Sequence, residues 1–321
     1  MPCNDGSDLW RLCICADSIV TMVLTIAAAC DKYTVHLANC CPCDIRYPAE
    51  HRTLLNLGWD RMDNTTLIAA WENEQRQPFV GWDFSYLHGR MASEELPWSY
   101  ETRAIELMHN AQSALDLDTG GGERLLQLRS HWPARLVATE SYQPNVQLAT
   151  ERLTPLGVQV VDAAADERVP LPFGDASFDL ILNRHGGLNI AELARVLKPG
   201  GTLFTQQVHG QTLHDLLELF GATPQWPDAT PEAYIPMLEQ AGLVLIEQRQ
   251  HWGAETFNDV GALVYFLRAI PWLVPGFSVA THSAPLYALH ERVAHGDVLR
   301  FAAGAYLIEA RKPDEYDSKP I

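Results

Sequence analysis

Apolar and polar positions change rhythm along this chain, and the changes mark its elements. From Thr65 the texture is amphipathic and Trp-rich: Leu67, Ile68 and Trp71 are followed by Phe79, Trp82, Phe84, Tyr86 and Leu87 around the Pro78 and Gly81 breaks. This predicts a helical cap. Residues 100–113 carry Ile105, Leu107 and Met108 at helical spacing and lead into a strand over 114–117. Strands then follow at 135–139, 158–161, 178–182, 202–206, 243–246 and 306–309. Helical patterns lie between them at 125–129, 143–153, 190–196, 213–220 and 231–241, with a further helical stretch at 260–270. Alternation of this kind predicts right-handed β-α-β units: a doubly wound, mostly parallel seven-stranded α/β sheet, a helical N-terminal cap and a helical insert near the C-terminus. The expected division is an extension over 1–61, a cap over 62–110, a main domain over 111–312 with an insert at about 251–300, and a tail over 313–321.

Composition narrows the partners. The 321 residues are 47% hydrophobic and 20% charged, enough for one large α/β domain with a cap. Forty acidic against 23 basic side chains give a net charge of −17, which disfavours nucleic acid because phosphate neutralisation needs clustered Lys and Arg. All seven cysteines (Cys3, Cys13, Cys15, Cys30, Cys40, Cys41 and Cys43) fall in the first 43 residues. A disulfide or metal knot and a processed leader lipidated at Cys30 are two chemical readings. Against them, Asp17 breaks the apolar run, which is too short to span a bilayer, and the spacings Cys13-x-Cys15 and Cys41-x-Cys43 depart from common zinc loops. The expectation is an atypical extension, with Met62 as a natural alternative start, on a soluble cytoplasmic protein that binds neither metal nor membrane.

Candidate chemistry begins at Ala114-Leu-Asp-Leu-Asp-Thr-Gly-Gly-Gly-Glu123, a strand-to-helix turn whose glycines allow close backbone approach to a ligand. The next strand ends at Glu140, 18 residues beyond Gly122, where an acid accepts hydrogen bonds from ribose hydroxyls. The run resembles the first motif of class I S-adenosyl-L-methionine-dependent methyltransferases. Asp116 stands as the motif acid, Gly120 and Gly122 as its second and third glycines, and Asp118 where the first glycine usually is. Leu171-Pro-Phe-Gly-Asp-Ala-Ser-Phe-Asp179 with Leu180-Ile-Leu-Asn-Arg-His185 is similar to that family's fourth-strand signature. Glu192-Leu-Ala-Arg-Val-Leu-Lys-Pro-Gly-Gly201 resembles its helix, turn and fifth strand, with Pro199 stopping the helix.

The resemblance implies a Rossmann-like fold and methyl transfer from S-adenosyl-L-methionine to a small-molecule acceptor. It implies that Asp116, Asp118, Gly120 and Gly122 line the methionine part and that Glu140 holds the ribose. Asp162 and Ala163 would lie along the adenine, and Asn183, Arg184 and His185 would face cofactor and acceptor.

Methyl transfer needs alignment and exclusion of water more than a dedicated base. Where a proton must leave, His185 is the first candidate and His209 the second. Arg90 could fork onto the methionine carboxylate. Trp82, Phe84, Tyr86, Trp98 and Tyr100 could roof a sulfonium and an adenine. Tyr265, Phe266, Trp272 and Phe277 could line the acceptor pocket, and cap packing accounts equally for both aromatic sets. Two rivals stay open. A non-catalytic adenosylmethionine-binding regulator would share the site, and an NAD(P)-dependent oxidoreductase would share the glycine turn and acid. Against the second, its third fingerprint glycine would fall at Leu125.

Overall fold

The computed structural model describes residues 63–80, 82–164 and 169–314. The Cys-rich segment 1–61, Met62, the break at Gly81 and most of the tail lie outside the described residues. Eight strands form one sheet: β1 (Met91–Ser93), β2 (Ser113–Leu117), β3 (Arg135–Glu140), β4 (Gln159–Asp162), β5 (Phe178–Arg184), β6 (Leu197–Val208), β7 (Val244–Phe257) and β8 (Leu299–Arg311). Their spatial order is β1-β7-β8-β6-β5-β2-β3-β4. The pairs from β6 to β4 are parallel, whereas β8 runs antiparallel to β6 and β7, and β1 antiparallel to β7.

The helices are α1 (Asn64–Arg76), α2 (Tyr100–Asn110), α3 (Glu123–Gln127), α4 (Gln143–Leu153), α5 (Ile190–Val196), α6 (His214–Leu219), α7 (Pro231–Gln240), α8 (Val260–Ala269) and α9 (Ser283–Ala294). Strand alternation splits the core into two layers. Leu115, Leu117, Val137 and Ile181 face α5 and α7, while Ala114, Leu136, Ala138, Leu180 and Leu182 face α2, α3 and α4. This is the doubly wound arrangement expected from the alternating pattern. Among the described residues no helix is long and apolar enough to cross a membrane.

The signature acid Asp179 works at the amino end of the strands. It accepts from the Ser113 amide at 2.8 Å and hydroxyl at 2.7 Å and from Lys198 Nζ at 3.0 Å, tying β5 to β2. Against the cost of burial, those bonds hold its carboxyl below the usual range. Glu192 and Arg195 of α5 likewise hold the 171–173 backbone: Leu171 N donates to Glu192 at 2.7 Å, and Arg195 donates to the Phe173 carbonyl at 2.7 Å.

Three features differ from the sequence expectation. The sheet has eight strands rather than seven, because Met91–Ser93 pairs with Glu255–Phe257 although its outer face is exposed and carries no apolar rhythm. β7 continues to Phe257 instead of ending at 246, so residues 251–257 are strand rather than helical insert; its polar run Glu247-Gln-Arg-Gln250 lies on a largely exposed strand and hides the periodicity. Third, β6 begins at Leu197 rather than at 202: α5 ends at Val196 as expected, and Leu197 already pairs with Phe178 across an irregular register, before Pro199 is reached.

The far ends of β7 and β8 carry the cap. Phe257, Leu299 and Phe301 join Leu67 and Trp71 of α1, Leu216 and Leu217 of α6, and α8 and α9 in one apolar cluster. Helix α8 is its centre, buried at every position except Arg268. Residues from both the N-terminal cap and the late helical region therefore share one core beyond the carboxyl ends of the parallel strands.

Candidate functional site

Ligands of open α/β sheets collect at the carboxyl ends of the parallel strands, and here the ends of β2, β3 and β5 converge. The turn after β2 opens with Asp118 at φ +53°, the left-handed conformation a glycine would take. Its carboxylate accepts from Gly187 N at 2.8 Å and so ties the β2 turn to the β5 turn. A Cβ at Gly186 would lie 2.5 Å from Asp118 Oδ2 and 2.7 Å from Asn183 Nδ2, so only glycine fits this crossing. Sequence reasoning missed Gly186 and Gly187; their signal was the glycine pair directly after the fourth-strand signature. Gly122, at φ +81°, is fixed by packing, since a Cβ there would meet Leu153 of α4 at 2.9 Å.

Glu140 ends β3 and is 6% exposed. Its Oε2 accepts from Gly120 N at 2.8 Å, and Oε1 accepts from the Ser141 and Tyr142 amides at 2.8 and 2.9 Å. A carboxylate offers about four acceptor positions, so Glu140 clamps the glycine turn and still has room for one more donor. Asp162 pairs with Glu140 in register, is exposed, and accepts from Gln143 Nε2 at 2.7 Å, while Ala163 N donates to the Glu140 carbonyl at 3.0 Å. Both sit on the rim beside Glu140.

Carboxylates crowd this turn. Burial pushes Asp116 up to about 7; the Thr119 hydroxyl opposes the shift and Asp118 adds to it. Burial likewise pushes Asp118 up to about 6, opposed by the Gly187 amide and reinforced by Glu140. Tyr100 stacks on Phe204 at 5.0 Å, and burial, then Asp116, raises its phenol well above the ordinary value. The Thr119 hydroxyl lies near enough to Asp116 to act on its charge, yet it is buried without a well-formed hydrogen bond. Arg184 Nε is also buried without a partner, and burial followed by the charge of Arg124 lowers the guanidinium pKa. Unpaired buried polar atoms beside a glycine turn are what a ligand-binding surface leaves behind.

His185 follows with φ +61°, an unusual backbone for a side chain of its size. Its side chain is open to solvent at the carboxyl end of β5. Burial, then the Arg184 and Arg124 charges, holds its pKa below the ordinary 6.5, so the ring is neutral at physiological pH.

Other expected site residues are engaged elsewhere. Arg90 forks onto Asp259 at 2.9 and 2.7 Å and reaches Glu74 at 3.0 Å, joining α1 to the start of α8. Asn183 is fully buried, accepting from Thr205 Oγ1 at 2.9 Å and from Gln207 Nε2 within the sheet. His209 is buried against Trp252 with ring centroids 4.7 Å apart, and its Nδ1 accepts from Gln211 N at 3.1 Å. Burial lowers its pKa. Trp82 reaches the glycine turn, its Cδ1 3.6 Å from where a Cβ at Gly120 would lie. Trp98 donates to Gln206 at 2.9 Å, and Phe84 packs with Phe79 and Phe266 in the cap. A surface groove lined by Asn110, Asp179, Gly200, Arg311 and Asp314 among others lies at the opposite, amino end of the strands. No group of three or more His, Cys, Asp or Glu able to hold a metal occurs among the described residues.

Residues 115–205, which contain this entire turn and the β5 end, match the methyltransferase domain family. This segment is similar to methyltransferase domains. The chain is 32% identical over 117 residues to a demethylmenaquinone methyltransferase of Thermus thermophilus, covering 34% of the chain and 53% of that protein. It is 26% identical over 171 residues to a malonyl-[acyl-carrier protein] O-methyltransferase of Herminiimonas arsenicoxydans, covering 50% and 63%. The chain thus spans a little over half the length of these curated relatives. Among solved structures, the YcgJ protein of Bacillus subtilis aligns with TM-score 0.46 and 17% identity, covering 67% of this chain and 98% of that one.

Proposed function

We propose that the methyltransferase domain binds S-adenosyl-L-methionine and transfers its methyl group to a small-molecule acceptor. The observation that carries this reading is the charge of the turn. Asp116, Asp118 and Glu140 converge there, and burial raises the pKa of the first two, compensated only by hydrogen bonds from the Thr119 hydroxyl and the Gly187 amide and by no positive charge among the described residues. A ligand bearing ammonium and sulfonium charges supplies that compensation. The diphosphate of a dinucleotide would instead bring negative charge against the same carboxylates, which weighs against the oxidoreductase alternative.

On this reading Asp116 and Asp118 hold the amino group, Gly120 and Gly122 give the backbone its close approach, and Glu140 takes the ribose. Asp162 and Ala163 border the adenine, and Tyr100 closes the floor on the α2 side. Arg184, with its unpaired Nε, replaces Arg90 as the partner of the methionine carboxylate. When bound, S-adenosyl-L-methionine supplies an electrophilic methyl on a positive sulfur. His185, neutral and beside the β5 end, orients the acceptor and takes its hydrogen bond; His209, with Nδ1 engaged, supports the wall behind it. The small-molecule class is supported by relatives named for demethylmenaquinone and malonyl-[acyl-carrier protein], and by the −17 charge. Cytoplasmic location and the division at residues 62, 111 and 313 remain part of the proposal.

The test is product formation. Adenosylhomocysteine released from labelled donor in the presence of phenols, hydroquinones, carboxylic acids or amines supports the reading. Tight donor binding with no turnover across that panel favours the non-catalytic alternative.

A further inference from the structure

Three tryptophans from separate segments touch in a row. Trp82 meets Trp272 at 5.7 Å between centroids, and Trp272 meets Trp226 at 6.4 Å. All three are open, at 46%, 37% and 57% exposure, whereas Trp71 inside the same cap is 1% exposed. Single exposed aromatics are ordinary, but a contiguous row is not.

The row has fixed ends. Trp82 covers Gly120 at the end of β2. At the other end, Gly210 follows β6 and donates to the Ala229 carbonyl at 2.8 Å, and a Cβ at Gly210 would sit 2.3 Å from the Trp226 carbonyl. The Trp226 loop is therefore pinned beside the end of β6. Strand β5, which ends at Arg184 just before His185, lies between β2 and β6 in the sheet. Two strand intervals are about 9.6 Å, which the ring-to-ring steps of 5.7 and 6.4 Å are long enough to cross. The row is thus long enough to arch from the end of β2 to the end of β6, on either side of the strand that ends before His185.

We propose that this arch is the acceptor-binding surface and that it takes a flat, unsaturated apolar acceptor, such as an aromatic or conjugated ring system. The inference rests on the methyl-transfer reading and names the substrate class for the same site. Three rings are far too few for a protein interface, which buries on the order of 1,200 Å² or more, and the patch continues directly onto the glycine turn. Ring faces and edges favour a planar π partner over a saturated one of equal size.

The test compares 2-naphthol with decahydro-2-naphthol, which share a carbon skeleton and differ in flatness. Each is titrated into the full chain by tryptophan fluorescence and calorimetry, with adenosylhomocysteine titrated separately. The expected result is at least tenfold tighter binding of 2-naphthol, lost tenfold or more in Trp226→Ala and Trp272→Ala and largely kept in Trp226→Phe. Adenosylhomocysteine affinity should stay within about twofold in all variants, which also shows that they fold. Equal affinity for the two alcohols, binding of neither below about 1 mM, or unchanged 2-naphthol affinity in both alanine variants would overturn the proposal. Failure of adenosylhomocysteine to bind the parent chain would remove the methyl-transfer reading instead, leaving the naphthol comparison to decide the arch.

Discussion

Asp116 shows how one residue can serve function at the expense of stability. Burial raises its folded pKa to about 7 from 3.8, so the native chain holds a proton there that the unfolded chain releases. Ligand-free stability is therefore greatest at low pH for this group, and it falls as pH rises through the interval from about 4 to about 7. Asp116→Asn is expected to stabilise the ligand-free protein at pH 8 by about 1 to 3 kcal/mol in denaturant melts, while weakening S-adenosyl-L-methionine binding tenfold or more. Unchanged stability would mean the carboxyl is not penalised by burial. The same sign governs binding: donor affinity should rise between pH 5.5 and 8 as Asp116 and Asp118 ionise, with proton release visible as buffer-dependent heats. A flat affinity profile would contradict the charge argument. His185→Ala is expected to lower kcat by about a hundredfold with donor affinity nearly unchanged, and with no inflection near pH 6.5 in the parent enzyme because the ring is already neutral. The acids and His185 were legible as residues at strand ends; their raised or lowered pKa values were not, because burial is set by chain segments far away in sequence.

At the scale of elements, the β2, β3 and β5 ends were readable because each carries a local signal: an apolar run followed by an acid and glycines at β2, an apolar run ending in an acid at β3, and the Leu171–Asp179 signature ahead of the apolar run of β5. Strands β1 and the outer half of β7 were not, since one side of each faces solvent and the polar residues there follow no period. Arg90 was misread for a related reason. Its neighbours Glu74 and Asp259 lie on α1 and at the start of α8, and nothing near position 90 announces them. Because Asp259 also accepts from Ala262 N at 2.8 Å, Arg90 secures the first turn of the most buried helix in the cap. Arg90→Ala should destabilise the chain by about 2 to 4 kcal/mol and leave donor affinity within threefold. A folded variant with unchanged stability and tenfold weaker donor binding would restore Arg90 to the cofactor site.

For the whole molecule, a parallel sheet brings the glycine turn and the β5 end together, and a cap drawn from both sides of the sequence stands over them. The doubly wound, mostly parallel sheet followed from β-α-β alternation, but the cap's unity did not, because its pieces are separated by more than a hundred residues and share no repeated pattern. The acceptor arch belongs to that same long-range assembly. Everything in this account depends on the turn preferring a cationic donor to a diphosphate. The decisive measurement is parallel calorimetric titration of the full chain with S-adenosyl-L-methionine, adenosylhomocysteine and NADH. Binding of the first two without NADH is the predicted result; binding of NADH alone would contradict it.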